Sequence, residues 1–153
     1  MWSNIGQMCR RPVVTIDESE DLVAAAQLMR EHHVGYLVAA RPEAESRRMR
    51  PVGVITDRDI VVAVIAKDVD PRTLTVADVM TSDPVLVRED ASLSTLLAEM
   101  RRIGARRMPI VDADGLLVGV VSLDDVLERL AEELGNIAGS IQHGQRLESV
   151  LRT

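Results

Sequence analysis

The sequence contains almost no aromatic side chains of the Phe, Trp or Tyr type. Trp2 and Tyr36 are the only two among 153 residues, and Phe is absent. The hydrophobic core must therefore consist mainly of Val, Leu, Ile, Ala and Met. This scarcity argues against nucleic-acid modules that stack bases on aromatic rings. The net charge of −6, from 18 basic and 24 acidic residues, also disfavours a protein that binds nucleic-acid phosphates.

Cysteine and long apolar segments are also scarce. Cys9 is the single cysteine, which excludes an intrachain disulfide and a CxxC redox or zinc motif. No apolar run reaches the roughly 18 residues that span a bilayer. Residues 1–11 lack the apolar segment of a signal peptide. We therefore expect a soluble, cytoplasmic protein that does not act at a membrane.

The chain contains an internal repeat, which organises the rest of the sequence. Met29-Arg30 recurs as Met100-Arg101 at an offset of 71 residues, and segment 52–60 recurs as 118–126 at an offset of 66. The five extra residues of the first copy fall in a polar loop, residues 41–50. The repeat predicts a first unit (1–66), a linker (67–75), a second unit (76–134) and a C-terminal helical tail (135–153).

Each unit has the pattern of an α/β fold in the order strand, helix, strand, strand, helix. Short β-rich runs open the units at residues 12–16 and 84–87. Ser19 is the expected N-cap of the first helix, with Glu20 and Asp21 in its first turn. The apolar face of this helix is expected to comprise Leu22, Ala25, Ala26, Met29 and His33, and its counterpart Leu93, Leu96, Leu97 and Met100.

The second helix of each unit begins at a recognisable capping box. These boxes are Thr56-x-x-Asp59 and Ser122-x-x-Asp125, and a third, Thr75-x-x-Asp78, caps a short lead-in to the second unit. Between the last two strands of the second unit, Asp112-Ala-Asp-Gly115 predicts a tight turn. The tail continues an apolar helical stripe that a partner surface would stabilise, formed by Leu123, Leu127, Leu130, Leu134, Ile137, Ala138 and Ile141.

Two segments in matching positions carry a family resemblance. Gly53-Val-Ile-Thr56-Asp-Arg-Asp59 ends the first unit, and Gly119-Val-Val-Ser122-Leu-Asp-Asp125 ends the second. Arg106-Arg-Met-Pro-Ile-Val-Asp112 adds a third segment. Over about residues 8–130, the sequence resembles a pair of cystathionine-β-synthase (CBS) domains of the stand-alone bacterial type. The resemblance implies two β-α-β-β-α units related by a pseudo-twofold axis, and a homodimer.

The capping boxes have two interpretations. A Thr or Ser with an Asp three residues later stabilises a helix start without any ligand. A helix N-terminus also presents free N–H groups to phosphate oxygens. The resemblance implies the second use, in which Asp59 and Asp125 bind the hydroxyls of a ribose. Thr56 and Ser122 would then lie near the phosphate.

Other candidate contacts lie on the strands. The resemblance places Arg107 and Pro109 beside the nucleotide cleft, where the arginine would hold phosphate. Thr15 and Val87, at the ends of the first strands, would contact the adenine ring. The first unit has Gly35-Tyr-Leu-Val38 without the Arg pair or the Pro, so the two clefts are not expected to be equivalent. The candidate ligand-binding residues are Thr15, Val38, Thr56, Asp57, Arg58, Asp59, Val87, Arg107, Pro109, Ser122 and Asp125.

Catalytic residues and metal ligands are not expected. His32-His33 has no Cys or Glu at metal-ligand spacing. Asp112-x-Asp114-Gly115 matches half of a calcium loop and lacks its distal Glu. The sequence also shows no pairing of a nucleophile with a base.

The resemblance implies a regulatory module rather than an enzyme. It would bind an adenosine-containing ligand, such as AMP, ATP, NAD or S-adenosylmethionine, with or without Mg²⁺, and the nucleotide would be a regulatory ligand rather than a cofactor. Binding between the units would change their relative angle and signal to an effector protein that the sequence does not name. Two alternatives stay open: a ligand-free structural or protein-interaction module, and an enzyme that uses the acidic helix starts with a divalent metal.

Overall fold

The computed structural model describes residues 4–9 and 12–151 of an α/β protein with two sheets. The first sheet has the order β1 (Thr15–Ile16), β2 (Tyr36–Pro42), β3 (Met49–Thr56) and β4 (Thr81–Ser82). The second sheet has the order β5 (Val87–Arg88), β6 (Arg107–Val111) and β7 (Leu117–Ser122). In both units the first strand is parallel to the second, and the second is antiparallel to the third.

Helices connect and follow these strands in the predicted order. The parallel strands are joined by α1 (Leu22–His32) and α4 (Leu93–Ile103), and the third strands lead into α2 (Asp57–Ile60) and α5 (Leu123–Leu151). A π-helical turn (Val61–Ile65), a 3-10 turn (Pro71–Thr73) and α3 (Val76–Val79) join the units. The fold class predicted from the repeat is therefore confirmed.

The two units exchange their lead-in segments. β4 lies near the start of the predicted second unit (76–134) but pairs with β3 of the first unit, whereas the 3-10 turn Ile5–Met8, near the start of the predicted first unit (1–66), packs in the core of the second unit. Glycine allows both close approaches. A Cβ atom on Gly53 would lie 2.2 Å from Met80 Sδ, and a Cβ atom on Gly119 would lie 2.4 Å from Cys9 Cβ. Each unit is thus completed by the first residues of the other.

Each unit has an aliphatic core, as the composition predicts. The first core contains Ile16, Leu22, Ala25, Met29, Leu37, Ala39, Ile55, Val64 and Val76. The second contains Ile5, Met8, Val87, Leu96, Met100, Met108, Ile110, Val121 and Val126. Val38 and Ala40 alternate with the core residues of β2 and are also fully buried, so both faces of this strand are covered.

The start of α1 differs from the sequence prediction. Ser19 as the N-cap is wrong, because Asp21 has the extended cap conformation and its carboxylate accepts a hydrogen bond from the Ala24 N–H at 2.8 Å. Ser19 instead donates its hydroxyl to Asp17 at 2.6 Å. Glu20 and Asp21 therefore precede the first turn. The Asp21 carboxylate, and not the Ser19 hydroxyl, thus accepts the hydrogen bond from the N–H group at the start of the helix.

The predicted apolar face of α1 is correct for three residues and wrong for two. Leu22, Ala25 and Met29 are buried. Ala26 is exposed. His33 lies beyond the helix and ends it in the left-handed conformation, with φ of 54°, so its side chain leaves the apolar face.

Helix α5 extends well beyond the second core. Val126 is its one buried residue among those the structure describes, and the segment 127–151 would be about 37 Å long. Its exposed large apolar residues are Leu127, Leu130, Leu134, Ile137, Ile141, Leu147, Val150 and Leu151. The apolar stripe predicted for the tail thus faces solvent. Within residues 4–9 and 12–151, no helix combines the length and hydropathy needed to cross a membrane.

The close approach at Gly119 can be tested by one methyl group. Gly119→Ala is expected to lower the free energy of unfolding by about 1–3 kcal/mol, because Cys9 Cβ cannot move away without its backbone. Gly139→Ala is the control, since nothing lies within 4 Å of its added Cβ. That change should stabilise the helix by at most about 1 kcal/mol. Urea denaturation followed by circular dichroism measures both, and equal effects would contradict the packing described.

Candidate ligand-binding cleft

In each unit, strand pairing places candidate residues at the end of the sheet where the last strand leads into a helix. Tyr36 pairs with Thr56 in the first unit, and Arg107 pairs with Ser122 in the second. A cleft of about 390 Å³ lies between the units, within the size range of small-molecule sites. Its first-unit wall contains Pro12, Val13, Val14, His33, Val34, Gly35 and Tyr36, and its second-unit wall contains Arg107, Val120, Ser122, Asp124, Asp125 and Glu128.

The Ser122 capping box holds a carboxylate in this cleft. Asp125 Oδ2 accepts hydrogen bonds from the Ser122 N–H at 2.7 Å and from the Ser122 hydroxyl at 2.6 Å. The Asp125 N–H donates to Ser122 Oγ at 3.1 Å. Among the described residues, no protein donor is recorded for Asp125 Oδ1. The cap therefore fixes the carboxylate with one oxygen available to a hydroxyl-bearing ligand.

Two arginines stand beside the start of α5. The Arg106 carbonyl accepts the Leu123 N–H at 2.9 Å, which holds the end of β6 against the helix N-terminus. A depression of about 260 Å³ at this point is lined by Arg106, Arg107, Ser122, Leu123 and Asp124. The positive end of the helix dipole and two guanidinium groups favour an anion there, while the Asp124 carboxylate opposes it.

Tyr36 faces Arg107 from the opposite unit. Burial raises the pKa of the Tyr36 hydroxyl above its ordinary range, and the positive charge of Arg107 opposes that shift. The phenol is therefore neutral at physiological pH and provides an aromatic surface beside a cation. The cleft thus combines an apolar wall with a carboxylate and a guanidinium group.

The equivalent helix start in the first unit lacks the pair of arginines on its neighbouring strand. Asp57 and Gly35 occupy the positions of Leu123 and Arg106, and the Gly35 carbonyl accepts the Asp57 N–H at 3.1 Å. A Cβ atom on Gly35 would lie 2.6 Å from Asp57 Oδ2, so a larger residue here would displace the Asp57 side chain. A carboxylate therefore occupies the region where the second unit has arginines.

The Thr56 capping box forms as predicted. The Thr56 N–H donates to Asp59 Oδ2 at 2.8 Å, and the Asp59 N–H donates to Thr56 Oγ1 at 3.2 Å. Arg58 and Asp59 line a separate, open depression of about 660 Å³ at the linker, together with Val62, Ala63, Lys67, Val69, Leu74, Asp78 and Val79. The structure does not bring these two residues into the cleft with Asp125.

Three other candidate residues lie in the interior. Val87 belongs to the second core, Val38 is fully buried opposite Thr15, and Pro109 is buried in β6. Thr15 follows Val14 directly but is not among the cleft residues. Their contacts with a ligand stay predictions.

Sequence reasoning missed most of the first-unit wall. Val13, Val14 and Val34 carry no motif, and Glu128 lies one turn beyond the capping box. Tyr36 was detectable, because it occupies the repeat position of Arg107 at the offset of 71. The others depend on how the two units pack, which the repeat does not specify. Within the described ranges, no three His, Cys, Asp or Glu side chains are grouped to hold a metal ion.

A family model and several relatives match this chain. The CBS domain model matches residues 5–66 and 76–132. An uncharacterized protein of Methanopyrus kandleri is 34% identical over 125 residues, which are 82% of this chain and 61% of that protein. Hypoxic response protein 1 of Mycobacterium tuberculosis is 35% identical over 120 residues, which are 78% of this chain and 80% of that protein. The chain thus spans less than two thirds of the archaeal relative.

Solved structures share the fold. A CBS domain protein from Pyrobaculum aerophilum complexed with AMP is 27% identical, with a TM-score of 0.71 over 84% of this chain and 98% of that chain. Hypoxic Response Protein I with two coordinated zinc ions is 30% identical, with a TM-score of 0.65 over 82% of this chain and 97% of that chain.

Cys9 is expected to report on the charge beside the cleft. Burial raises its pKa from 9.0 to about 11, with smaller contributions from the negative charges of Asp125 and Glu89. The unfolded chain loses this proton at lower pH than the folded chain, so stability should fall as the pH rises from 9 towards 11. The rate of iodoacetamide alkylation should rise with a midpoint near pH 11.

A pair of aspartate variants tests the cause of this shift. Asp125→Asn should lower the pH midpoint of Cys9 alkylation, whereas Asp124→Asn, which does not contribute to the shift, should leave it unchanged. A wild-type midpoint near 9, or the same midpoint in Asp125→Asn and wild type, would contradict the placement of Cys9 beside Asp125.

Proposed function

The chain belongs to the CBS domain family, and we propose that it is a regulatory module that binds an adenosine-containing nucleotide between its two units. The observation that carries the proposal is the cleft in which Ser122, Asp125 and Arg107 of the second unit face Tyr36 of the first. The AMP complex of the Pyrobaculum relative supports the ligand class. The module would bind its ligand rather than transform it.

The chemistry of the cleft fits the parts of a nucleotide. Val13, Val14 and Tyr36 offer an apolar surface to the adenine ring. Asp125 Oδ1 would accept hydrogen bonds from ribose hydroxyls, because its other oxygen is used by the cap. Arg107 and the N-terminus of α5 would receive the phosphate.

This arrangement favours a phosphorylated nucleotide over S-adenosylmethionine. The arginine contributes a positive charge at the point where a phosphate would lie, whereas S-adenosylmethionine carries a positively charged sulfonium at the ribose carbon that bears the phosphate in a nucleotide. AMP, ATP or NAD would therefore bind more tightly than S-adenosylmethionine. One nucleotide per chain is expected, since the first unit has Gly35 and Tyr36 where the second unit has the phosphate-binding candidates Arg106 and Arg107.

The cleft also provides a route for a signal. Its walls belong to different units, so a ligand that contacts both stabilises one relative angle of the units over others. A partner protein that distinguishes these angles would read the ligand. We also propose that the protein acts in the cytoplasm.

The exposed stripe of α5 supports a homodimer. Leu127, Leu130, Leu134, Ile137 and Ile141 follow the alternating spacing of three and four residues that is typical of a helix–helix seam. A second copy of α5 would cover these side chains. The same stripe favours the alternative function, a protein-interaction module without a ligand.

Asp125→Asn tests the nucleotide cleft. AMP affinity is expected to fall about tenfold to hundredfold, because hydrogen bonds to a charged group contribute roughly 1.5–3 kcal/mol. Isothermal titration calorimetry gives the affinity and the stoichiometry, and the wild type should bind one AMP per chain. S-adenosylmethionine titrated under the same conditions should bind more weakly.

Asp78→Asn is the matched control for the capping role of the carboxylate. Asp78 forms the same cap with Thr75, at 2.8 Å to its N–H, but lies outside the cleft. Thermal unfolding should show similar small losses of stability in both variants, and only Asp125→Asn should lose AMP affinity. Wild-type protein that binds none of AMP, ATP and NAD at millimolar concentrations would refute the proposal.

Leu134→Glu tests the homodimer. A charge at the centre of the stripe should shift the protein from dimer to monomer in sedimentation velocity, because an unpaired carboxylate would be buried at the seam. Gln142→Glu adds the same charge at a position off the seam and should leave the dimer intact. A wild-type monomer at micromolar concentration would favour a different partner for the stripe.

A further inference from the structure

The extra residues of the first hairpin form contacts with the second unit. Arg48, near the start of β3, makes an ion pair with Asp112 at the end of β6. Arg50 donates from its guanidinium group to the Asp114 carbonyl at 3.0 Å and is held by Glu43 at 3.1 Å. These contacts of Arg48 and Arg50 with the Asp112–Gly115 turn are called the hairpin latch here. They join segments that belong to different copies of the repeat.

The turn presents the receiving groups in a fixed arrangement. Asp112 Oδ1 accepts hydrogen bonds from the N–H groups of Asp114 and Leu116, both at 2.9 Å. Its other oxygen pairs with Arg48. The hydrogen bond from Leu116 and the contact with Arg48 both hold the pKa of Asp112 below its ordinary value. The carboxylate is therefore ionised, oriented and only 13% exposed at its side chain.

The latch and the cleft lie at opposite ends of the same two hairpins. In the first unit, the Tyr36–Thr56 pair is at the cleft and the Pro42–Met49 pair is at the latch end. Six strand residues separate these pairs, which corresponds to about 20 Å. In the second unit, Arg107 and Ser122 are at the cleft, and the latch turn follows Val111. The units are therefore connected at one end and form the cleft at the other.

We propose that the hairpin latch sets the angle between the two units and thereby the width of the nucleotide cleft. Arg48 is a positioning residue, since it acts on the ligand through the orientation of the second unit. The lead-in segments that cover Gly53 and Gly119 lie between the two ends and serve as the pivot. This inference rests on the proposed function for its effect on affinity, but its effect on cleft width does not require a ligand.

The expected effect on affinity is small and depends on salt. With the latch intact, the cleft already has the size of a ligand. Loss of the latch therefore lowers the fraction of molecules whose cleft can bind the ligand, and the apparent affinity falls by that fraction. Arg48 is 46% exposed at its side chain, and exposed ion pairs contribute modestly, so a loss of about twofold to fivefold is expected. Screening should remove the difference at about 1 M salt.

Cleft width can be measured directly with spin labels. His33 and Glu128 are exposed on opposite walls of the cleft, so His33→Cys and Glu128→Cys in a Cys9→Ala background give one label on each unit. Double electron–electron resonance should give a broader distance distribution with Arg48→Gln than without it. Arg47→Gln is the matched control, since no contact of Arg47 with the second unit is found among the described residues. Equal distributions in all three proteins would overturn the latch.

AMP titration of unlabelled protein tests the consequence for binding. Arg48→Gln should weaken AMP binding about twofold to fivefold at low salt, with Arg47→Gln at the wild-type value and Arg48→Lys partly restored. Unchanged affinity in Arg48→Gln would overturn the positioning role. If the wild type binds no AMP, the proposed function fails, and the spin-label distances alone decide whether the latch sets the cleft.

Discussion

The reciprocal cover of the two units is the constraint on which the rest of the structure depends. Met80 lies on Gly53 and Cys9 lies on Gly119, so each sheet is covered by the segment that leads into the other unit. Because the segments cross, the two sheets cannot separate without exposing core residues such as Ile5 and Met8.

Divergence of the repeat explains why the two helix starts differ in chemistry. Both units keep a hydroxyl and an aspartate in a capping box, so the backbone geometry is conserved between them. The neighbouring positions differ: the second unit has Arg106 and Arg107, whereas the first has Gly35 beside Asp57. One fold thus provides a helix start with a pair of arginines beside it and another without that pair.

Sequence patterns predicted the features that depend on local interactions. The order of elements, the capping boxes at Thr56 and Ser122 and the apolar stripe of the tail all rest on short-range spacing. Residue Ser19 shows the limit even locally, since Asp21 competes for the same N–H groups and forms the cap. The choice between the two required the path of the chain into the helix.

The cleft was predictable mainly on one side. Arg107, Ser122 and Asp125 follow from motifs in the second unit, and the structure places them together. The opposite wall, including Val13 and Val14, is defined by packing between units. No periodicity within one unit encodes that packing. The contact of the longer first hairpin with the second unit was equally unpredictable from the sequence, because Arg48 and Asp112 come together only when both units are assembled.

The most direct test of this account is a crystal structure of the protein with AMP. The account predicts one nucleotide per chain in the cleft between the units, with its ribose at Asp125, its phosphate at Arg107 and its base beside Tyr36. Nucleotide bound at Asp59 instead, or equally at both helix starts, would contradict it.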